Sequence, residues 1–286
     1  MVGDVVRAVG GQHVNVTVLL GPGVDPHLHK TTRDDVATIM DADVVFYSGL
    51  MLEGKMTDTL SQAGEEKPVR AVTDAIDQDQ LLSGDDGADH ADPHVWFDAD
   101  LWSQTSSVIV DVLSKEVPDH ASSFESNAAS FRESLSTLRD YGAKVLASIP
   151  ESQRLLITSH DAFGYLGRAY GIEVMGVQGI STDSEAGLRR INDLVDLIVE
   201  RKLPSVFIES SVSEKGIQAL IDGAASRGHT VTIGGTLFSD AAGAAGTYEG
   251  TYIGMLDHNF TIIARSLGGD APPTGMSGQL SGVEAE

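Results

Sequence analysis

Short runs rich in β-branched and aliphatic residues alternate along this chain with longer segments whose apolar positions recur at helical spacing. That alternation is the signature of α/β layering with mostly parallel strands. "VNVTVLL" (Val14 to Leu20) reads as a strand that feeds a loop, "TRDDVATIMDAD" as a helix, and "VVFYSG" and "PVRAV" as the next two strands. "QDQLLSGDDGADHAD" is polar, Gly- and Asp-rich and aperiodic, which predicts a surface loop. From Pro118 to Ile149 a single amphipathic segment sets Phe124, Phe131, Leu135, Leu138 and Val145 near helical spacing. Roughly thirty helical residues extend about 45 Å, more than the diameter of one small domain, so this helix is expected to bridge two lobes.

The rhythm then restarts. "RLLITS" reads as a buried strand, "AFGYLGRAYG" as a helix ended by Gly171, and "EVMGVQG" as a strand. "SEAGLRRINDLVDLIVERK" reads as an amphipathic helix with Ser184 as its candidate cap. "SVFIES" and "TVTIGGTLFS" supply two more strands around the helix "SEKGIQALIDGAASRG", and "YEGTYIGMLDHNFTIIARSLGG" a last helix. The division expected is an N-terminal α/β lobe over 1–117, a bridging helix over 118–149, a C-terminal α/β lobe over 150–269, and a Pro-, Gly- and Ser-rich disordered tail over 270–286. The fold class is α/β, with two Rossmann-like lobes of mostly parallel sheet.

Composition narrows the function. With 41% hydrophobic and 21% charged residues the 286-residue chain is globular, and its net charge of -23 repels nucleic-acid phosphates and anionic membrane surfaces. It contains no cysteine, so any metal site must use His, Asp or Glu. No apolar run reaches the roughly 18 residues needed to span a bilayer, and "MVGDVVRAVGGQ" lacks the basic start and apolar core of an export signal.

The tripeptide Asp-Pro-His occurs twice, at Asp25-Pro26-His27 and at Asp92-Pro93-His94. Proline fixes its own φ and holds the preceding residue extended, which aims the following imidazole. In parallel α/β sheets ligands bind at the carboxyl ends of the strands, and there stand His27, His94, His160, Glu209 and Asp240. Two of these belong to the first lobe and three to the second, as a site clamped between lobes requires. Three neutral imidazoles and one carboxylate suit zinc, and manganese if the carboxylate binds through both oxygens. A site saturated by protein ligands holds its metal as cargo or structure, whereas a catalytic zinc keeps a position open for water.

The segments "GPGVDPHLHKTTRDD", "DADVVFYSGLMLE", "DPHVWFDAD", "ITSHDAFGYLGRAYGIEVMGVQGISTDSEA", "VFIESSVSEK" and "GTLFSDAAG", in that order, resemble the substrate-binding receptors of zinc and manganese ABC transporters. The resemblance covers nearly the whole chain. It implies two lobes bridged by a long helix, with one divalent ion buried between them as transported ligand, Zn2+ or alternatively Mn2+, and with His27, His94, His160 and Asp240 as its ligands. It also implies an extracytoplasmic, monomeric receptor, in the periplasm or lipid-anchored at the cell surface, that delivers the ion to a membrane permease and catalyses nothing. His160 in the third position tilts the choice toward zinc, where a Glu would favour manganese. The family carries an aromatic residue, Glu and Pro after the first ligand, where this chain has His29, Lys30 and Thr32, and it places a strand ahead of "VVRAVGG".

Other readings stand beside this one. A zinc hydrolase would use Glu209 as its general base, and an adhesin would use the metal only for structure. Asp98 and Asp161 are candidates to accept the second N–H of a ligand imidazole, and Glu209 a further cleft partner or a plain structural carboxylate. His29 and His90 could catch metal in passing or be solvated loop residues, Asp85, Asp86 and Asp89 form a short acidic patch, and Trp96 is expected to pack and orient its loop. Imidazole ligands of ordinary basicity predict affinity that weakens below about pH 6.5.

Overall fold

The computed structural model describes residues 1–84 and 90–281. It opens on helix α1 (Val2–Gly10), which buries Val5, Val6 and Val9. α2 (Arg33–Asp41) follows, then strand β1 (Val45–Tyr47), α3 (Thr57–Ala63), β2 (Val69–Ala71) and α4 (Ala99–Glu116). α2 starts on a reciprocal cap in which the Asp35 amide donates to Thr32 Oγ1 and the Thr32 amide donates to Asp35 Oδ2. The same carboxylate oxygen lies 3.0 Å from His29 Nε2, so Asp35 knits the segment in which this chain departs from the family pattern.

The bridging helix is α5 (Ala121–Ala147), 27 residues long, or about 40 Å. Its buried face is Phe124, Ala128, Phe131, Leu135, Leu138, Gly142, Val145 and Leu146, which includes every position named from periodicity. The second lobe runs β3 (Leu155–Thr158), α6 (Gly164–Tyr170), β4 (Glu173–Gly176), α7 (Leu188–Arg201), β5 (Ser205–Glu209), α8 (Lys215–Ser226), β6 (Thr232–Leu237) and α9 (Tyr252–Ser266). Pairing is parallel in β1 with β2, β3 with β4, and β5 with β6. α6 ends where Gly171 takes a left-handed conformation, as read from the sequence.

One apolar core runs through both lobes. It links Val5 and Val9 of α1, Trp102 and Ile109 of α4, the inner face of α5, and Tyr252, Met255 and Phe260 of α9. A second cluster fills the far side of the C-terminal lobe, with Leu155, Ile157, Leu194, Ile198, Val206 and Leu220. A third, smaller one lies under α2 and α3 around Ile39, Met56 and Leu60. Three polar ties cross the large core: Trp96 Nε1 donates to the Ser239 carbonyl at 3.0 Å, Tyr252 Oη to the Trp96 carbonyl at 2.7 Å, and the Tyr252 amide to Asp4 Oδ2 at 2.8 Å. The last of these places a carboxylate of the first lobe at the positive end of α9.

Three expectations need correction. Val14–Leu20 is not a strand: among the described residues it joins no ladder, and together with β1 it lines a cavity of about 610 Å³. Ser184 does not cap α7, which begins at Leu188 after Gly187 with no side-chain cap; the residues before it are committed to a loop in which Gln178 Nε2 donates to the Ser184 carbonyl. Nor do residues 270–281 lie free. Ala271 and Leu280 are buried, the Met276 amide donates to the Asp257 carboxylate, and Arg265 Nη1 donates to the Ala271 carbonyl. Asp85, Asp86 and Asp89 fall outside the described residues, as do 282–286.

Close approach of α9 to α5 depends on Gly142, where an added Cβ would stand 2.7 Å from a ring carbon of Phe260. Gly142→Val should therefore cost about 1–3 kcal/mol in chemical denaturation. Adding Phe260→Leu should return part of that loss, because the two changes act on one contact. Equal losses with and without the second change would show that the helices are spaced by other residues.

Candidate metal centre

The second-lobe residues of the centre stand at or just past strand ends. β3 ends at Thr158 and carries His160 two residues on; β5 ends at Glu209; β6 ends at Leu237, three before Asp240. Gly176 ends β4 against this turn, and a Cβ there would come within 2.3 Å of the Asp161 amide. From the first lobe, His27 and His94 each follow an Asp-Pro pair whose aspartate Oδ1 accepts the histidine's own amide, at 2.8 Å from Asp25 and 2.9 Å from Asp92. The repeated tripeptide is thus a repeated local device, in which a side chain two residues earlier fixes the backbone of the histidine.

His27, His94, His160 and Asp240, all buried, offer ligand atoms that lie within 4.8 Å of one another and could hold a metal ion. His27 Nε2 and His94 Nε2 face each other at 3.3 Å. His94 Nε2 lies 3.4 Å from Asp240 Oδ1, and His160 Nε2 3.4 Å from Asp240 Oδ2. These are ion-pair contacts without hydrogen-bond direction, so both Asp240 oxygens and His160 Nε2 are buried with no hydrogen-bond partner. A buried carboxylate left without bonds costs several kcal/mol, and so many orphaned atoms pointing at one spot suit a cation at their centre.

Outside this group the ring nitrogens are braced. Nδ1 of His94 is 2.8 Å from Asp92 Oδ1, and Nδ1 of His160 is 2.5 Å from Glu209 Oε2, whose other oxygen accepts the His160 amide at 2.9 Å. A carboxylate on Nδ1 fixes the tautomer that presents Nε2 inward. The sequence reading missed Asp92 in this role, although the tripeptide itself carries it. Asp98, one of its candidates, is elsewhere: Oδ1 caps α4 by accepting the Asp100 and Leu101 amides, and Oδ2 lies 3.6 Å from Arg168. Asp161 donates its amide to the Gly179 carbonyl, and the Nδ1 of its neighbour His160 is taken by Glu209. His29 is turned to Asp35, while His90 is exposed. Trp96 stacks edge-on to His94 with ring centres 5.2 Å apart and ties the His94 loop to Ser239, next to Asp240.

The charges settle among these groups in opposite directions. Burial alone would lower the pKa of His94, but the Asp240 and Asp92 carboxylates outweigh it and raise it to about 9. His160 follows the same logic: burial works against its charged form, yet Glu209 and Asp240 hold it well above the ordinary imidazole value. Asp240 is driven far below the usual carboxylate range by His160 and His94, against its own burial. His27 goes the other way, lowered first by burial and only partly compensated by Asp240.

The family model described as "Zinc-uptake complex component A periplasmic" matches residues 1–266. The chain is 50% identical over 266 residues to the manganese-binding lipoprotein MntA of Bacillus subtilis (strain 168), covering 93% of this chain and 87% of that protein. It is 43% identical over 267 residues to the zinc-binding protein TroA of Treponema pallidum, covering 93% and 86%. The solved structure of that periplasmic zinc-binding protein superposes with a TM-score of 0.90, over 93% of this chain and 96% of the other. By fold, by length matched and by sequence, this chain belongs to the family of periplasmic zinc-uptake components and metal-binding lipoproteins of ABC transporters.

Proposed function

We propose that this chain is the extracytoplasmic receptor of an ABC transporter, which takes up one Zn(II) or Mn(II) ion and hands it to the membrane permease. His27, His94, His160 and Asp240 are the proposed ligands, placed between lobes 1–117 and 150–269, and the receptor acts as a monomer. The observation that carries this reading is the Asp240 carboxylate, buried between His94 and His160 with both oxygens lacking hydrogen bonds. The names of the relatives support it from both sides, with manganese for the Bacillus protein and zinc for the Treponema protein. Among the described residues no helix is long and apolar enough to cross a membrane.

Two features speak against hydrolysis. Four protein ligands leave no position that must be filled by water. Glu209, the candidate base, has one oxygen on the His160 amide and the other on its ring, so it is spent on holding a ligand. A net charge of -23 is equally unsuited to nucleic acid.

Titration against a chromogenic chelator should give one tightly held zinc per chain, and manganese bound more weakly and displaced by zinc, as the divalent affinity order requires. His160→Ala should abolish tight binding while the metal-free fold, followed by circular dichroism, persists. Glu209→Gln should keep the stoichiometry and weaken affinity about 10–100-fold, the usual effect of losing a carboxylate behind a ligand imidazole. Full zinc affinity in His160→Ala would remove that residue from the set.

The acid–base state of the metal-free centre shifts the expected pH window upward. A histidine raised to about 9 still holds its proton at neutral pH, so zinc must displace it there. Apparent affinity should therefore keep rising from pH 6.5 toward 9 instead of levelling near 6.5. Calorimetry at pH 7.5 in buffers of different ionisation enthalpy should count about one to two protons released per zinc. Linkage fixes the sign for stability as well: the raised His94 stabilises the metal-free fold fully below its unfolded value and loses that effect as pH climbs through about 9. No proton release at pH 7.5 would mean that the imidazoles are neutral before metal arrives.

A further inference from the structure

The two Asp-Pro-His motifs share one bond and differ in the next. Asp92 uses the oxygen that accepts the His94 amide to hold the His94 ring as well. Asp25 leaves the ring of His27 unbraced and gives its second oxygen, Oδ2, to Thr182 Oγ1 at 2.6 Å, across the cleft in the second lobe. The neighbouring residue, Asp183, pairs with Lys55 of the first lobe at 2.6 Å. Adjacent residues of one second-lobe loop, 178–187, are therefore fastened to two different loops of the first lobe, one of which contains His27.

Other observations mark this rim as a built contact. Lys55 follows a turn in which Leu50 and Met51 both have positive φ, 51° and 64°, a conformation that residues with a Cβ avoid. Glu53 holds that turn by accepting the Ser48 and Gly49 amides at 2.7 and 3.1 Å. The contact is also weak in the manner of a part meant to open: the Lys55 and Asp183 side chains are 32% and 54% exposed, and exposed pairs of this kind add little to global stability. Inside the rim, His94 and His160 are fully buried and carboxylate-braced, while His27 keeps 8% of its surface exposed and has no carboxylate on its ring.

We propose that loop 178–187 is a latch over His27. Its bonds Thr182 to Asp25 and Asp183 to Lys55 close the cleft on the bound ion, and their opening frees His27 as the first ligand lost, so that the latch sets the rate of metal release. The inference rests on the receptor reading and adds to it the side on which the ion leaves and the residues that control its departure. Thr182, Asp183 and Lys55 touch no bound ion in this scheme; they position the loop that carries His27.

The test is the release rate of zinc from the loaded full chain, followed by stopped-flow with excess chelator. Thr182→Val, Lys55→Glu and Asp183→Lys should each bind one equivalent of zinc and leave the melting temperature of the metal-free protein unchanged, yet release the ion about tenfold faster, with association altered far less. The charge swap Lys55→Glu with Asp183→Lys should restore slow release, a rescue that a general loss of structure would not give. Added salt should speed release from the wild type and have less effect on Asp183→Lys. Wild-type release rates in zinc-loaded Thr182→Val and Asp183→Lys overturn the latch alone, whereas a wild type that holds no stoichiometric zinc overturns the receptor reading and the latch with it.

Discussion

A carboxylate with no hydrogen bonds in a buried setting is the constraint around which the rest of this structure is arranged. Asp240 sits between His94 and His160, with both oxygens closed off from water and protein donors. Such a group is tolerable only beside positive charge. In the metal-free protein its neighbours are His94 and His160, whose basicity Asp240 itself raises. A divalent ion held by the proposed ligand set would supply that charge more directly.

The fold keeps the four groups in register with two kinds of tie. Deep ones cross the shared core: Trp96 bonds the Ser239 carbonyl beside Asp240, and Tyr252 bonds the Trp96 carbonyl, all within packing that includes α5 and α9. Shallow ones cross the rim, at Asp25 with Thr182 and Lys55 with Asp183. Opening the first kind would expose large aromatic side chains to water, and opening the second exposes little apolar surface. Motion that admits or releases an ion is cheaper at the rim than along the bridging helix.

The braces on the imidazoles also separate binding from catalysis. Asp92 and Glu209 fix the rings of His94 and His160 from behind, so those two present Nε2 inward before any ion arrives. A hydrolase would need one of its carboxylates idle and facing the metal. Here Glu209 is fully engaged, and Asp240 belongs to the proposed ligand set. The difference between a receptor and an enzyme, in a cleft of similar composition, lies in what the carboxylates are already bonded to.

Local pattern was enough to determine α2, β1 and β2, the buried face of the bridging helix, the succession of elements after it and the αL stop at Gly171, whereas α3 and α4 were not read from it. Helical periodicity and turn chemistry are properties of neighbouring residues, and strand-end positions follow from them. His160 and Asp240 could be named because they follow strand ends, and His27 and His94 because they stand in a repeated Asp-Pro-His motif and a family pattern; that the four face one point, with Asp240 left bare, is a matter of distance between segments up to 213 residues apart. What only the tertiary structure decided follows the same rule. Val14–Leu20 has the composition of a strand and pairs with none among the described residues, Ser184 has the chemistry of a cap and lies in a loop fastened across the cleft, and Asp98 is drawn to a helix terminus and Arg168 instead of an imidazole. Each outcome depends on which partner comes within reach, and reach between distant segments is set by packing.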